Sequence, residues 1–337
     1  MSTLPSAAEE QPYERVKAYL EDFKLYRQGQ KTVAPRDFDQ LFRCQISRAD
    51  WRKLQEDLRI HDDDERNPFS RCKFSYHAST STLIIQCNPP TPVHEVAVEF
   101  LNTCLSAAVN PLHVTVAQGR GQQLDDEDAD EAKVGDLTIY QETPKGLKAR
   151  WVLEVGFSET YDELLEDIQT WLMAKQAEVV YGVLMKITEE PKYRCPLLNI
   201  PSEELEARRL KSRGDITRQD FVMEGEYGPS SYQGDRWAGQ IKEVFWEVWK
   251  LNPETRKPEL VGQRDIIVPK TNSSPKIPLH EFLTTEPANA QVSPDWDVFR
   301  ALFKRNIREL AMHRYKEWNR RLAKEGGDDR GTDPDFA

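Results

Sequence analysis

Two periods of hydrophobic and polar residues alternate along this chain, and the switches between them mark out its elements. "YERVKAYLEDFKLYR" sets Val16, Tyr19, Leu20 and Phe23 on one helical stripe, and "SRADWRKLQEDL" opens on Ser47 or Asp50 as a cap, so residues 11–60 are expected to be a helical lead-in. "TLIIQC" (82–87) reads as a short strand, stopped by the prolines of "NPPTP". In "VHEVAVEFLNTCLSAA" the apolar Val93, Val96, Ala97, Phe100, Leu101, Cys104, Leu105 and Ala108 recur at helical spacing, with Glu95, Glu99 and Asn102 on a polar flank. Strands follow at "LHVTVA", "DLTIY" (136–140) and "RWVLEVG" (150–156), the last two forming a hairpin across "QETPKGLKA". From Ser158 the period returns to helical, with Leu164, Leu165, Ile168 and Leu172 as the core stripe. "EVVYGVLMKI" (178–187) is apolar enough to be a strand buried on both faces.

The order α-β-β-β-α-β predicts an α/β fold with a mixed central sheet flanked by helices. The expected organisation is a helical N-terminal extension (1–78), an α/β core (79–190), a loop-rich insertion (191–237) with a short basic helix around "EELEARRLKSR", and a C-terminal part (238–324) completing the same domain. In that last part "IKEVFWEVWKL" alternates and pairs with "ELVGQRDIIVP" as a second hairpin on the same sheet. A long helix, roughly 294–324, is entered through "SPDW" with Ser293 as N-cap and Pro294 at its first position. Residues 325–337 are expected to be a disordered tail.

Composition narrows the classes. A chain of 337 residues with 38% apolar residues can bury a sizeable core. No run of 18 apolar residues and no basic-then-apolar leader is present, which predicts an intracellular protein, nuclear or cytoplasmic, without a membrane partner. The five cysteines, Cys44, Cys72, Cys87, Cys104 and Cys195, are odd in number and widely spaced, so reduced thiols are expected, and no Cys–His spacing suits zinc. The net charge of −11 opposes nucleic acid globally, but much of it sits in "DDEDADE" (125–131), which reads as a flexible loop, and in the tail. Lys304, Arg305, Arg308, Arg314, Lys316, Arg320, Arg321 and Lys324 gather on the last helix, either as a solvated face or as a polyanion-binding one. The GxG of "QGRGQQ" lacks the third glycine and the helix of a dinucleotide site.

Chemistry concentrates around "RWVLEVGFSET", where Glu154 interrupts an apolar strand. Glu95 on the preceding helix, Asp136 at one strand's start and Glu154 in the next form a carboxylate set of the kind that holds magnesium, with the carbonyl of Val155 as a further oxygen. A blander reading stands beside it: a buried Glu is held by hydrogen bonds, and Asp136 only starts a strand.

These stretches resemble the PD-(D/E)XK nuclease superfamily, in particular restriction-endonuclease-like proteins that include fungal members. "GDLTIY" stands where that family has its PD strand, "WVLEVGFSETYDELLEDIQTWL" resembles the run in which the acidic strand precedes an amphipathic helix, and "PTPVHE" resembles the lead-in to the first helix. The resemblance covers about 82–187. It implies that Asp136 and Glu154 ligate magnesium or manganese, that Glu95 supports them, and that nucleic acid is the substrate. Gly135 replaces the motif proline, which does no chemistry. Gly156 replaces the lysine that orients the attacking water and offsets phosphate charge. Lys148 and Lys175 lie too far along their elements to stand in. Gln169 can position a water or phosphate without supplying charge, and Lys186 on the next strand is the remaining cation. Two functions are therefore open: a magnesium-dependent nuclease, weak or inactive for want of the lysine, or a non-catalytic binding protein on a decayed nuclease fold that uses the basic helix or the aromatics Phe245, Trp246 and Trp249.

Overall fold

The structure, a computed structural model, describes residues 11–27, 42–60, 69, 72–77, 80–86, 90–118, 135–174, 178–198 and 200–325. Cys87, Lys175, the acidic stretch 125–131 and the tail beyond Glu325 lie outside the described residues. The chain divides into two compact units, Met1–Pro89 with Ala323–Ala337, and Pro90–Leu322.

The first unit contains α1 (Pro12–Arg27), β1 (Phe42–Gln45), α2 (Arg48–Leu58), β2 (Lys73–His77) and β3 (Thr82–Gln86). Ser47 caps α2, its Oγ accepting from the Asp50 amide at 3.1 Å. Val16, Leu20, Phe23, Trp51 and Leu54 bury against Leu83 and Ile85 as a separate small core. The expected helical extension is thus an α+β unit that runs to residue 89. "TLIIQC" does not open the main core: β3 is the middle strand of a three-stranded antiparallel sheet, with both edges taken by β1 and β2. The local pattern of a strand shows its faces, not the partners of its edges.

The second unit holds α3 (Pro92–Ser106), β4 (Val114–Gln118), β5 (Leu137–Thr143), β6 (Gly146–Gly156), α4 (Tyr161–Met173), β7 (Tyr181–Glu190), α5 (Ser202–Ala207), β8 (Val222–Met223), β9 (Ser230–Tyr232), β10 (Asp235–Ala238), β11 (Gln240–Leu251), β12 (Pro258–Leu260), β13 (Asp265–Val268) and, as far as Leu322, α6 (Trp296–Glu325). Its main sheet runs β12-β11-β7-β6-β5-β4, with β13 also on β11. Neighbours are antiparallel except β6 and β7, which are parallel and joined through α4, as a parallel pair requires a crossover. The fold is therefore α/β with a mixed central sheet flanked by helices, closed by a long C-terminal helix. None of the described helices is long and apolar enough to cross a membrane.

Strand alternation assigns the two faces. Leu153, Val155, Val183, Met185 and Ile187 share one core with Leu101 of α3 and Phe299 and Phe303 of α6. Val152, Leu184 and Phe245 share the other with Leu164, Ile168, Trp171 and Leu172 of α4. Every residue from Tyr181 to Ile187 is buried, which is why that stretch of β7 reads as continuously apolar. α4 starts at a capping box in which Thr160 Oγ1 accepts from the Glu163 amide and the Glu163 carboxylate accepts from the Thr160 amide. It also lies close on the sheet. A Cβ on Gly156 would stand 2.7 Å from Leu164 Cδ2, and one on Gly182 would stand 2.7 Å from Ile168 Cγ2.

Residues 191–237 are not merely a loop-rich insertion. β8, β9 and β10 make a small antiparallel sheet, and Phe221, Tyr232 and Trp237 pack edge-on or tilted around Tyr315 of α6. Such short strands carry too few alternations to be read from sequence. The α6 cap also differs from expectation. Asp295, not Ser293, accepts from the amides of Asp297 and Val298 at the helix start. The basic run is divided: Arg314 makes a two-pronged pair with Glu189 beneath the Tyr193 ring, and Arg320 pairs with Glu317, while Lys304, Arg305 and Arg308 are exposed. The aromatics of the second hairpin are largely internal, with Phe245 and Trp246 buried and Trp249 half-buried.

Candidate functional site

Asp136 and Glu154 sit on neighbouring strands. Leu137 pairs with Leu153, so the antiparallel register brings Asp136, just before β5, opposite Glu154 in β6. Their carboxylates nevertheless serve different neighbours. Glu154 points to the α4 face, where it is 0% exposed and accepts the Trp171 indole N–H at 2.7 Å. Asp136 Oδ2 accepts the Val155 amide at 2.7 Å and lies 3.2 Å from His94 Nε2, in the first turn of α3. The helices holding the two acids cover opposite faces of the sheet.

The remaining predicted residues fall around this pair unevenly. Glu95 is half exposed, its Oε1 lying 3.4 Å from His94 Nδ1. Val155, expected to offer a carbonyl, meets Asp136 with its amide. Gln169 is half-buried on α4, beside the stripe from which Trp171 reaches Glu154. Among the described residues no three His, Cys, Asp or Glu side chains gather as a metal-ligand group. A magnesium or manganese ion needs several oxygens in one accessible place. Here one carboxylate is sealed beneath an indole and the other is engaged by an amide and an imidazole, so the residues do not fit the ion.

Gly156 reads differently in three dimensions. It is not a vacated lysine position over open space, because its missing Cβ is what admits Leu164, itself 0% exposed. A cation does stand next to it: the parallel register pairs Gly156 with Lys186, which alternation puts on the α4 face with Glu154. Lys186 is buried, and its Nζ donates to the carbonyls of Phe157 at 3.2 Å and Ile187 at 2.9 Å. Burial pushes its pKa down to about 8, with Lys192 acting in the same direction and Glu159, Glu163 and Glu243 opposing.

Glu247 of β11 is a second buried carboxylate. It accepts from Arg264 Nε at 2.7 Å, Tyr161 OH at 3.0 Å and Trp249 Nε1 at 3.1 Å, and Arg264 lies 3.7 Å from the Phe245 ring centroid. These bonds fasten the start of α4 to β11. Sequence reasoning missed His94, Trp171 and Arg264. Only Trp171 left a usable signal, since it stands three residues after Ile168 on the buried stripe.

No family model, no curated protein and no solved structure matches the chain.

Proposed function

We propose that the protein is a non-catalytic binding protein built on a restriction-endonuclease-like core whose acidic residues now hold the fold together. The observation that carries this reading is the sealed state of Glu154: fully buried, bonded to Trp171, and followed two residues later by a glycine whose space Leu164 fills. A nuclease acid must reach a metal and a phosphate, and a lysine two positions on must share its face; the packing of α4 opposes both. The surface best suited to a partner is the exposed stripe Lys304, Arg305 and Arg308 on α6, which favours an acidic one.

The test is cleavage of DNA and RNA by the full chain with magnesium and with manganese, beside the isosteric variant Glu154→Gln. We expect both proteins to match the no-enzyme background. Cleavage by the natural chain that Glu154→Gln abolishes while remaining folded would restore the nuclease reading.

A further inference from the structure

One face of α6 is exposed along about three turns. Phe299, Phe303, Ile307 and Leu310 bury the inner side of the helix. At ~100° per residue, Val298, Ala301, Lys304, Arg305 and Arg308 fall together on the outer side, and all five are exposed. Elsewhere on the helix arginines are bound: Arg300 to Asp297 and the Ile267 carbonyl, Arg314 to Glu189, and Arg320 to Glu317. Lys304, Arg305 and Arg308 have no side-chain ion pair or hydrogen bond among the described residues, and the carboxylate in their turn, Glu309, is taken by Arg218.

The stripe is graded along the axis, with Val298, 47% exposed, and Ala301 at one end and the three cations at the other. A partner strand has no edge to join here, because the backbone groups of α6 are bonded within the helix; a second helix laid alongside is the mode that suits such a face. Ala301, at the middle of the stripe, leaves room for a partner side chain to approach the backbone. The cationic end calls for negative charge, and the apolar end decides its source. Phosphodiesters gain nothing from Val298 and Ala301, and the net charge of −11 opposes a long polyanion.

We propose that this face of α6 docks an acidic amphipathic helix of a partner protein, with an apolar side chain over Ala301 beside Val298 and carboxylates on Lys304, Arg305 and Arg308. The inference deepens the binding-protein reading and rests on it.

The probe is a fluorescein-labelled, alanine-based helical peptide that carries leucines and, a turn further on, glutamates on the same face. It is titrated with the full chain by fluorescence anisotropy at low salt. Saturable binding is expected, weakened by added salt because exposed charges are screened within ~10 Å at 0.1 M. The same peptide with glutamines for glutamates should not saturate. Combining Lys304→Glu, Arg305→Glu and Arg308→Glu, all at exposed positions that leave the fold intact, should weaken binding at least about tenfold. Ala301→Arg separates docking from plain charge attraction. Arginine keeps the helix propensity but fills the middle of the stripe, so the peptide should bind more weakly, whereas attraction of charge alone would tighten it. A short DNA duplex should bind more weakly than the peptide. The proposal is overturned by failure of the peptide to saturate, by a folded triple variant of unchanged affinity, by tighter binding to Ala301→Arg, or by DNA binding more tightly than the peptide. Binding that appears only when the acids of 125–131 are replaced by their amides would also overturn it, by assigning the face to the chain's own acidic stretch. Cleavage of nucleic acid by a chain that still binds the peptide would refute the non-catalytic reading alone.

Discussion

Glu154 shows how one side chain changes meaning with its surroundings. A carboxyl group inside a sheet is costly unless its oxygens are hydrogen-bonded, and the Trp171 indole at 2.7 Å supplies such a donor. The same geometry explains Gly156. A side chain there must displace Leu164, whose Cδ2 lies 2.7 Å from the Cβ position. We therefore expect Gly156→Lys to destabilise the protein by about 1–3 kcal/mol, the usual cost of overfilling a packed core, and to confer no nuclease activity. Urea denaturation measures the first effect. An unchanged midpoint would show that the position is open. At this scale the sequence reveals the odd residue but not its partner: Glu154 stands out in its apolar run, whereas Trp171 comes from another element seventeen residues on.

At the scale of elements, legibility follows the length and strength of the period. α3, α4 and β7 are readable because each carries a long run of one pattern, and the hairpins because their apolar strands flank turn-like stretches. β1, β2 and β8 to β10 have two to five residues and lack the uninterrupted apolar run that marks the equally short β3. Register lies beyond any local pattern, and it is register that pairs Gly156 with Lys186. The Lys186 position also predicts a pH effect. Its folded pKa is about 8, whereas the unfolded chain keeps the proton to about 10.4. Between these limits the unfolded state binds more protons, so stability rises with pH; below the lower limit the penalty is fully present. Relative to Lys186→Met, the natural chain should gain about 1–3 kcal/mol from pH 7.5 to about 10.5. A stability difference that is flat across this range would mean that Lys186 titrates normally.

At the scale of the molecule, the mixed sheet, its parallel β6–β7 pair and the helices on its two faces follow the order of elements read from sequence, while the division at residue 89 does not. The dividing signal is the closure of a second core by Val16, Leu20, Phe23, Trp51 and Leu54 with Leu83 and Ile85, which appears only when β3 is paired with β1 and β2. Within the larger unit, α4 packs down over Gly156 and Gly182 and seals Glu154, and α3 brings His94 to Asp136 from the other side. The acids thereby tie opposite layers to the sheet. The direct measurement is calorimetric titration of the full chain with manganese, compared with Glu154→Gln, which keeps a carbonyl oxygen for the Trp171 N–H. If these carboxylates are structural, the two isotherms coincide. A stoichiometric manganese site in the natural chain that is absent from folded Glu154→Gln would contradict the account.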